Sequence, residues 1–206
     1  METRRNSRYS LLMQTVQVVT LIIVLCGVTA TFAQAQETTG NVNLVLGKKS
    51  LDSGDWAPVE NQNEAGIEFD FREASWPVNI ALGLRHSEEE GSVFDATLGT
   101  LSVTGRTTEV SFGIRKVWDQ QATVSPYVGG GLALVDAEAE VRASGASGSD
   151  SDSSVGLWLG AGIYFTVVEH LNVGLDFRVT SADATLAGID VSSGGSHIGL
   201  LVGYHF

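Results

Sequence analysis

From residue 40 onward, apolar and polar side chains alternate with a period of two. Val42, Leu44 and Leu46 alternate with Asn41, Asn43 and Gly47, with Val45 out of step. Ile67, Phe69 and Phe71 alternate with Glu68, Asp70 and Arg72; Val78, Ile80, Leu82 and Leu84 alternate with Asn79, Ala81, Gly83 and Arg85. Val110, Phe112 and Ile114 are set against Glu109, Ser111, Gly113 and Arg115. The stretches 155–165, 171–179 and 198–206 repeat the pattern, the last two setting Asp176 and Arg178, then His197 and His205, against apolar residues. Such alternation marks strands with two different faces. One more strand, about Val124 to Val135, is rich in glycine. Val128, Gly130, Leu132 and Leu134 are assigned to its apolar face, and Gly129 to Gly131 could hide a bulge that switches the phase. The pattern predicts eight strands and no helix of useful length after residue 35.

The connections alternate in length. Short ones fall near Ser75 to Pro77, Asp119 to Ala122 and Val168 to His170; long ones fall near 52–62, 88–106, 142–153 and 182–195. Four long outer loops and three short inner turns suit an up-and-down barrel with both ends in the periplasm.

A soluble barrel would also alternate, with its apolar face inward. Three features favour a membrane barrel. The polar face is rich in glycine (83, 113, 156, 160, 162, 174, 199, 203) beside charges of both signs, which fits the crowded interior of an eight-stranded barrel. Trp76, Trp118, Tyr127, Phe165, Tyr204 and Phe206 fall near the predicted periplasmic strand ends, where a membrane boundary favours aromatic rings. On the outer side Trp56 and Phe94 are the obvious girdle candidates. The third feature is the C-terminus, where Ile198, Leu200, Val202, Tyr204 and Phe206 alternate to the last residue.

That ending resembles the terminal strand signature of bacterial outer-membrane proteins, and the chain from residue 36 on resembles the small outer-membrane β-barrel family, OmpX/Ail-like and similar to the transmembrane barrel of OmpA. The resemblance implies an all-β, eight-stranded antiparallel up-and-down transmembrane β-barrel in the bacterial outer membrane. It implies that the barrel assembly machinery reads the C-terminal strand, with Phe206 and Tyr204 as its signal and Trp76 and Trp118 in the girdle. A chain ending at Phe206 is expected to lack the periplasmic domain of OmpA-type proteins.

Residues 1–35 read as a signal peptide. Arg4, Arg5 and Arg8 precede an apolar stretch densest from Val18 to Val28, followed by Ala33-Gln34-Ala35, an A-x-A-like cleavage site. Gln14, Gln17 and Thr20 interrupt the stretch, against a retained span. Cys26, the single cysteine, would leave with the leader, so residues 36–206 offer no thiol chemistry. With 24 acidic against 12 basic residues the chain is acidic and has no basic patch, which argues against nucleic acid as a partner.

The interior is expected to hold a charge network of Glu68, Asp70, Arg72, Arg85, Glu109, Arg115, Asp176 and Arg178: a rigid filling, or in the alternative a narrow gated ion path. The loops are acidic, carrying Asp52, Asp55, Glu60, Glu88, Glu89, Glu90, Asp95, Asp136, Glu138, Glu140, Asp150, Asp152, Asp183 and Asp190. Such loops could hold divalent cations bridging to lipopolysaccharide phosphates. Asp150 to Ser154 begins like a calcium loop but lacks its glycine and closing glutamate. Some small barrels modify lipid A with a His/Ser/acid set. Here His86 and Ser87 are adjacent strand residues and diverge, as do Ser196 and His197, so these histidines read as isolated polar groups. No metal or cofactor site is expected. The expected role is that of a non-enzymatic monomer contributing to envelope structure, or meeting a surface ligand through its loops, in contact with outer-membrane lipid and lipopolysaccharide. Ion conduction and lipid A modification are the alternatives.

Overall fold

The computed structural model describes residues 38–96, 99–120, 122–143 and 146–206, so the expected signal peptide lies outside the described residues. The wall is built from β1 (Thr38–Ser50), β2 (Asn61–Glu73), β3 (Asn79–Asp95), β4 (Gly99–Val117), β5 (Val124–Ala143), β6 (Ala146–Val168) and β7 (Leu171–Ser181), and is completed by β10 (Gly195–His205). Between β1 and β2 lies one helical turn, α1 (Ser53–Trp56), and between β7 and β10 a small hairpin, β8 (Asp183–Leu186) with β9 (Ile189–Ser192). Among the described residues, eight strands close into a barrel in the order β1-β10-β7-β6-β5-β4-β3-β2. Closure leaves no open edge at membrane depth, where lipid cannot satisfy backbone N–H and C=O groups.

The alternation sets the faces. Leu44, Leu46, Leu82, Val110, Phe112, Ile114, Leu132, Leu134, Leu157, Leu159, Leu175, Phe177, Leu200 and Val202 all point outward and are exposed, as a lipid-facing band requires. The band ends sharply toward the outer side, where His86, Thr108, Asp136 and Ser153 lie in register across β3 to β6. In β5, Val128, Leu132 and Leu134 face outward as the alternation predicts. The β4–β5 register runs without a shift through Gly129 to Gly131, so no bulge forms there.

Two of the expected long loops are strand instead. The β2–β3 pairing stops at Asn63↔Glu88, whereas β3–β4 continues to Asp95↔Gly99. Likewise β6–β7 stops at Leu157↔Ser181 while β5–β6 continues to Ala143↔Ala146. Four strands therefore rise above the closed ring as a projecting sheet. The polar, charged residues of 88–106 and 142–153 resemble loops, yet they continue the ladders in register, and the outer face becomes polar above the band. Above the band the outward positions are Glu88, Arg106, Glu138 and Ser151, and the inward ones are Val103, Ala137 and Ala139. On their outer face these strands are apolar at membrane depth and polar above it; on the inner face Val103 of β4 and Ala137 and Ala139 of β5 form part of an apolar core above the ion pairs.

That upper interior is a small apolar core. Leu51, Trp56, Val59, Ala137, Ala184 and Leu186 are buried together, with Val103, Ala139 and Val191 packed against them. Trp56 is a girdle candidate by sequence, but α1 turns it into this core, where its indole N–H donates to Ser192 O (2.8 Å). Phe94, the other candidate, is exposed near the upper end of β3.

Candidate functional site

The lumen is occupied by a column of buried Asp, Glu, Lys, Arg and His side chains contributed by six wall strands. Glu68 of β2 stands at its centre: Oε1 accepts from Arg85 Nη2 (2.6 Å) and Arg178 Nη2 (2.7 Å), and Oε2 from Arg115 Nη2 (2.7 Å). Asp176 accepts from Arg85 (2.6 Å) and from the Tyr127 hydroxyl, and Glu109 from Arg178 (3.0 Å). Toward the periplasm, Asp70 accepts from Arg115 (3.2 Å), Asn41, Asn79 and the Tyr164 hydroxyl. Toward the outside, Glu64 accepts from Arg85 (2.9 Å) and meets His197 Nδ1, while Lys49 donates to Thr107 Oγ1 (2.9 Å) and Ser193 O (3.1 Å). Unpaired charges would be costly in such a space; here each cation faces acceptors.

Aromatic rings wall the column. The Arg115 guanidinium lies 4.4 Å from the centre of the Tyr127 ring, and Arg178 lies 4.3 Å from that of Trp158. Tyr127 and Tyr164 stack with centroids 4.7 Å apart. Glycine opposite these rings makes the room: a Cβ on Gly162 would collide with the Tyr127 phenol, and one on Gly129 would fall 3.1 Å from Trp158.

Seven of the eight expected network residues meet in this column. Arg72 does not. It lies near the end of β2, two positions below Asp70, at the periplasmic rim, where it donates to Gln120 Oε1 (2.9 Å) and Trp76 O (3.1 Å). Tyr127, expected at the girdle, is buried in the lumen because odd-numbered residues of β5 point inward there. Lys49, Glu64, His197, Tyr164 and Trp158 also belong to the column and were missed. Their signal was strand phase: extending the inward parity of Asn43 to Lys49, and of Glu68 back to Glu64, would have found two of them. Of the remaining expected residues, Trp76 and Trp118 are partly exposed at the periplasmic end, Tyr204 is exposed and stacks on His170, and Phe206 lies against Phe69. His86 points outward to Thr108 and Ser87 inward to Thr107, on opposite faces.

Above the column the apolar core seals the outer mouth, and the β8–β9 hairpin is pinned to it by carboxylates. Asp152 accepts from Thr185 N (2.7 Å), Asp150 from Ala187 N (2.6 Å) and Asp55 from Ser192 N (2.9 Å). The segment that begins like a calcium loop is thus strand, and its two aspartates serve backbone amides. On the outward face Arg106 reaches Glu88 (3.1 Å), Glu138 (3.5 Å) and Glu140 (3.5 Å). The hydrogen bond to Glu88 foremost holds Arg106 above its ordinary range, and those from Arg142 foremost hold Glu140 below its own.

Comparison with known proteins agrees with this architecture. No curated protein sequence matches the chain. Among solved structures it is similar to a major outer membrane protein from Thermus thermophilus, with 12% identity, a TM-score of 0.58, and 83% of this chain and 100% of that one covered. It is also similar to Ail, the attachment invasion locus protein of Yersinia pestis, solved with the heparin analogue sucrose octasulfate (15%, TM-score 0.53, 84% and 100%). Neisserial surface protein A is a third (15%, TM-score 0.51, 82% and 97%). A closed eight-stranded ring with a lipid-facing band places the protein in the bacterial outer membrane, and residues 19–206 match the model of the outer membrane protein beta-barrel domain. The chain therefore belongs to the outer membrane protein β-barrel family.

Proposed function

We propose that this protein is a non-enzymatic surface-interaction barrel, whose working part is the projecting sheet of β3 to β6 on a sealed, rigid ring. The observation that carries this reading is the division of labour along the strands. At membrane depth the lumen is filled by the ion-paired column, and above it by the apolar core, so little of the interior is available to a solute. What remains accessible is the raised sheet. Its outward face carries Glu88, Glu90, Asp136, Glu138 and Glu140 with only Arg106 and Arg142 among them. Sites on a rigid scaffold beyond the membrane are where such proteins meet partners. Ail is described with a heparin analogue, a polyanion; the acidic face here fits a cationic partner instead. The C-terminal strand, with Tyr204 facing outward, supports a role as the signal read by the assembly machinery.

The test is binding of reconstituted barrel to polylysine and to heparin, in parallel, at low and high salt. Salt-sensitive binding to polylysine, weakened in a Glu88→Gln/Glu138→Gln/Glu140→Gln variant, is the expected result. Preference for heparin would overturn the proposed polarity. The ion-path reading draws on the column's continuity from Asp70 to Lys49. Planar-bilayer recordings are expected to stay closed for the native barrel and for Glu109→Gln; opening in the variant would favour that second reading.

A further inference from the structure

Among the described residues, the buried acidic and basic side chains of the lumen comprise five carboxylates, Glu64, Glu68, Asp70, Glu109 and Asp176, and four Lys or Arg residues, Lys49, Arg85, Arg115 and Arg178. The tenth is His197. We propose that His197 carries the fifth positive charge of the column, so that its proton is a structural component of the folded barrel and the outer end of the lumen responds to pH.

Two independent observations lead there. The first is charge balance. A buried carboxylate without a compensating cation is strongly unfavourable. With His197 neutral the column holds one carboxylate in excess; with His197 as an imidazolium it is balanced. The second is ring geometry. His197 lies between two carboxylates from opposite sides: Nδ1 is 2.5 Å from Glu64 Oε2 on β2, and Nε2 is 3.6 Å from Glu109 Oε2 on β4. A neutral imidazole has one N–H and one lone pair. In either tautomer a lone pair would face a carboxylate oxygen. The imidazolium puts an N–H on both sides.

Every neighbouring element is consistent with this. The ladder partners of His197 are themselves basic, Lys49 on β1 and Arg178 on β7. Like charges side by side repel, but each has its own acceptors: Arg178 has Glu109 and Glu68, and Lys49 has Thr107 Oγ1 and Ser193 O. Arg85 on β3 shares Glu64 with the ring and also holds Glu68 and Asp176. The site adjoins the seal of the mouth. Lys49 binds Ser193, which directly follows β9 and whose hydroxyl lies 3.0 Å from that of Ser154 on β6. Loss of the proton would leave an uncompensated carboxylate at the root of the hairpin. Since the protonated form is the one that fits the two carboxylates, the barrel should be more stable at lower pH than at higher pH.

The direct test is nitrogen NMR of the complete barrel in micelles at about neutral pH, with ¹⁵N-labelled histidine; the His197 signal is identified by its loss in His197→Asn. Two protonated ring nitrogens are expected. A neutral tautomer at that pH would overturn the proposal without depending on any variant's folding. A second measurement follows the midpoint temperature of the boiling-dependent gel shift between about pH 5 and 8, where histidine ordinarily titrates. The native barrel should lose midpoint temperature as pH rises, and His197→Lys should not. If His197→Asn is destabilised, adding Glu64→Gln should recover part of the loss by restoring the balance. A native midpoint flat across this range, or a stabilising Glu64→Gln in the native background, would also overturn it.

Discussion

Tyr127 and Gly162 face each other across the β5–β6 ladder, the phenol ring lying over the residue that has no side chain. The ring occupies that space while its hydroxyl donates to Asp176 and its face receives Arg115. Gly162→Ala would put a methyl group into the ring and against Leu175 O. It is expected to destabilise the barrel by about 1–3 kcal/mol, in the range of overpacked cores. Urea unfolding followed by the boiling-dependent gel shift measures this. Unchanged stability would mean that the ring is free to move away.

Glu68 accepts from three guanidinium groups at once. Glu68→Gln leaves them facing a neutral amide, and a loss of about 3–5 kcal/mol is expected, as for other buried ion pairs deprived of one partner. The same assay measures it. A near-neutral result would show that the remaining carboxylates are sufficient counter-charge.

Removing the seal should be a local event. Trp56→Ala deletes the largest side chain of the upper core and the hydrogen bond to Ser192, so protease cleavage within residues 183–192 should accelerate in the reconstituted barrel. The membrane ring should survive, read by an unchanged gel shift. Protection equal to that of the native protein would show that the Asp55, Asp150 and Asp152 bonds suffice to hold the hairpin.

On the lipid face, Leu200→Arg places a charge in the middle of β10 and is expected to cost about 2–4 kcal/mol if the site is near the bilayer midplane. Ser151→Arg, on the outward face of β6 above the band, should cost little. Comparing the two in vesicles locates the band experimentally.

The Arg106 cluster responds to acid. Because Arg142 and Arg106 hold Glu140 below the ordinary carboxylate range, its contribution is present above that range and is lost as pH falls through the depressed value. The cluster is solvent-facing, so the effect on overall stability should be small. Carbon NMR of the Glu140 carboxyl should show it titrating below the ordinary carboxylate range, and Arg142→Ala should move it back toward that range.

The strands were legible because one rule, alternation against lipid, governs the ring. The closing residues of the column were harder to read. Glu68, Asp70, Arg85, Glu109, Arg115, Asp176 and Arg178 stand inside clean alternating runs, so their inward direction follows from parity. Glu64 and Lys49 lie where the runs become polar on both faces, and parity there had no apolar partner to anchor it. Arg72 has the right parity but the wrong height, and height comes from register between strands, which no single strand encodes. Tyr127 was misplaced because an aromatic residue near a strand end fits a girdle as readily as an inward stack; the glycine opposite it on β6 decides. The projecting sheet was obscured for a related reason: outward Glu88, Glu138 and Glu140 resemble loop residues until Val103, Ala137 and Ala139 behind them are seen as a core.

The change in the outer face along β5, from Leu134 to Asp136, also acts as a waterline. One step of two residues along the strand separates a side chain that prefers hydrocarbon from one that prefers water, about 7 Å of chain. The vertical seating of the protein is therefore set by side chains on the strands themselves rather than by its loops. Any load applied to the raised sheet passes down the same hydrogen-bonded strands into the ring, so that pulling the protein upward must drag Leu134, Val110 and Leu157 toward water before any loop yields.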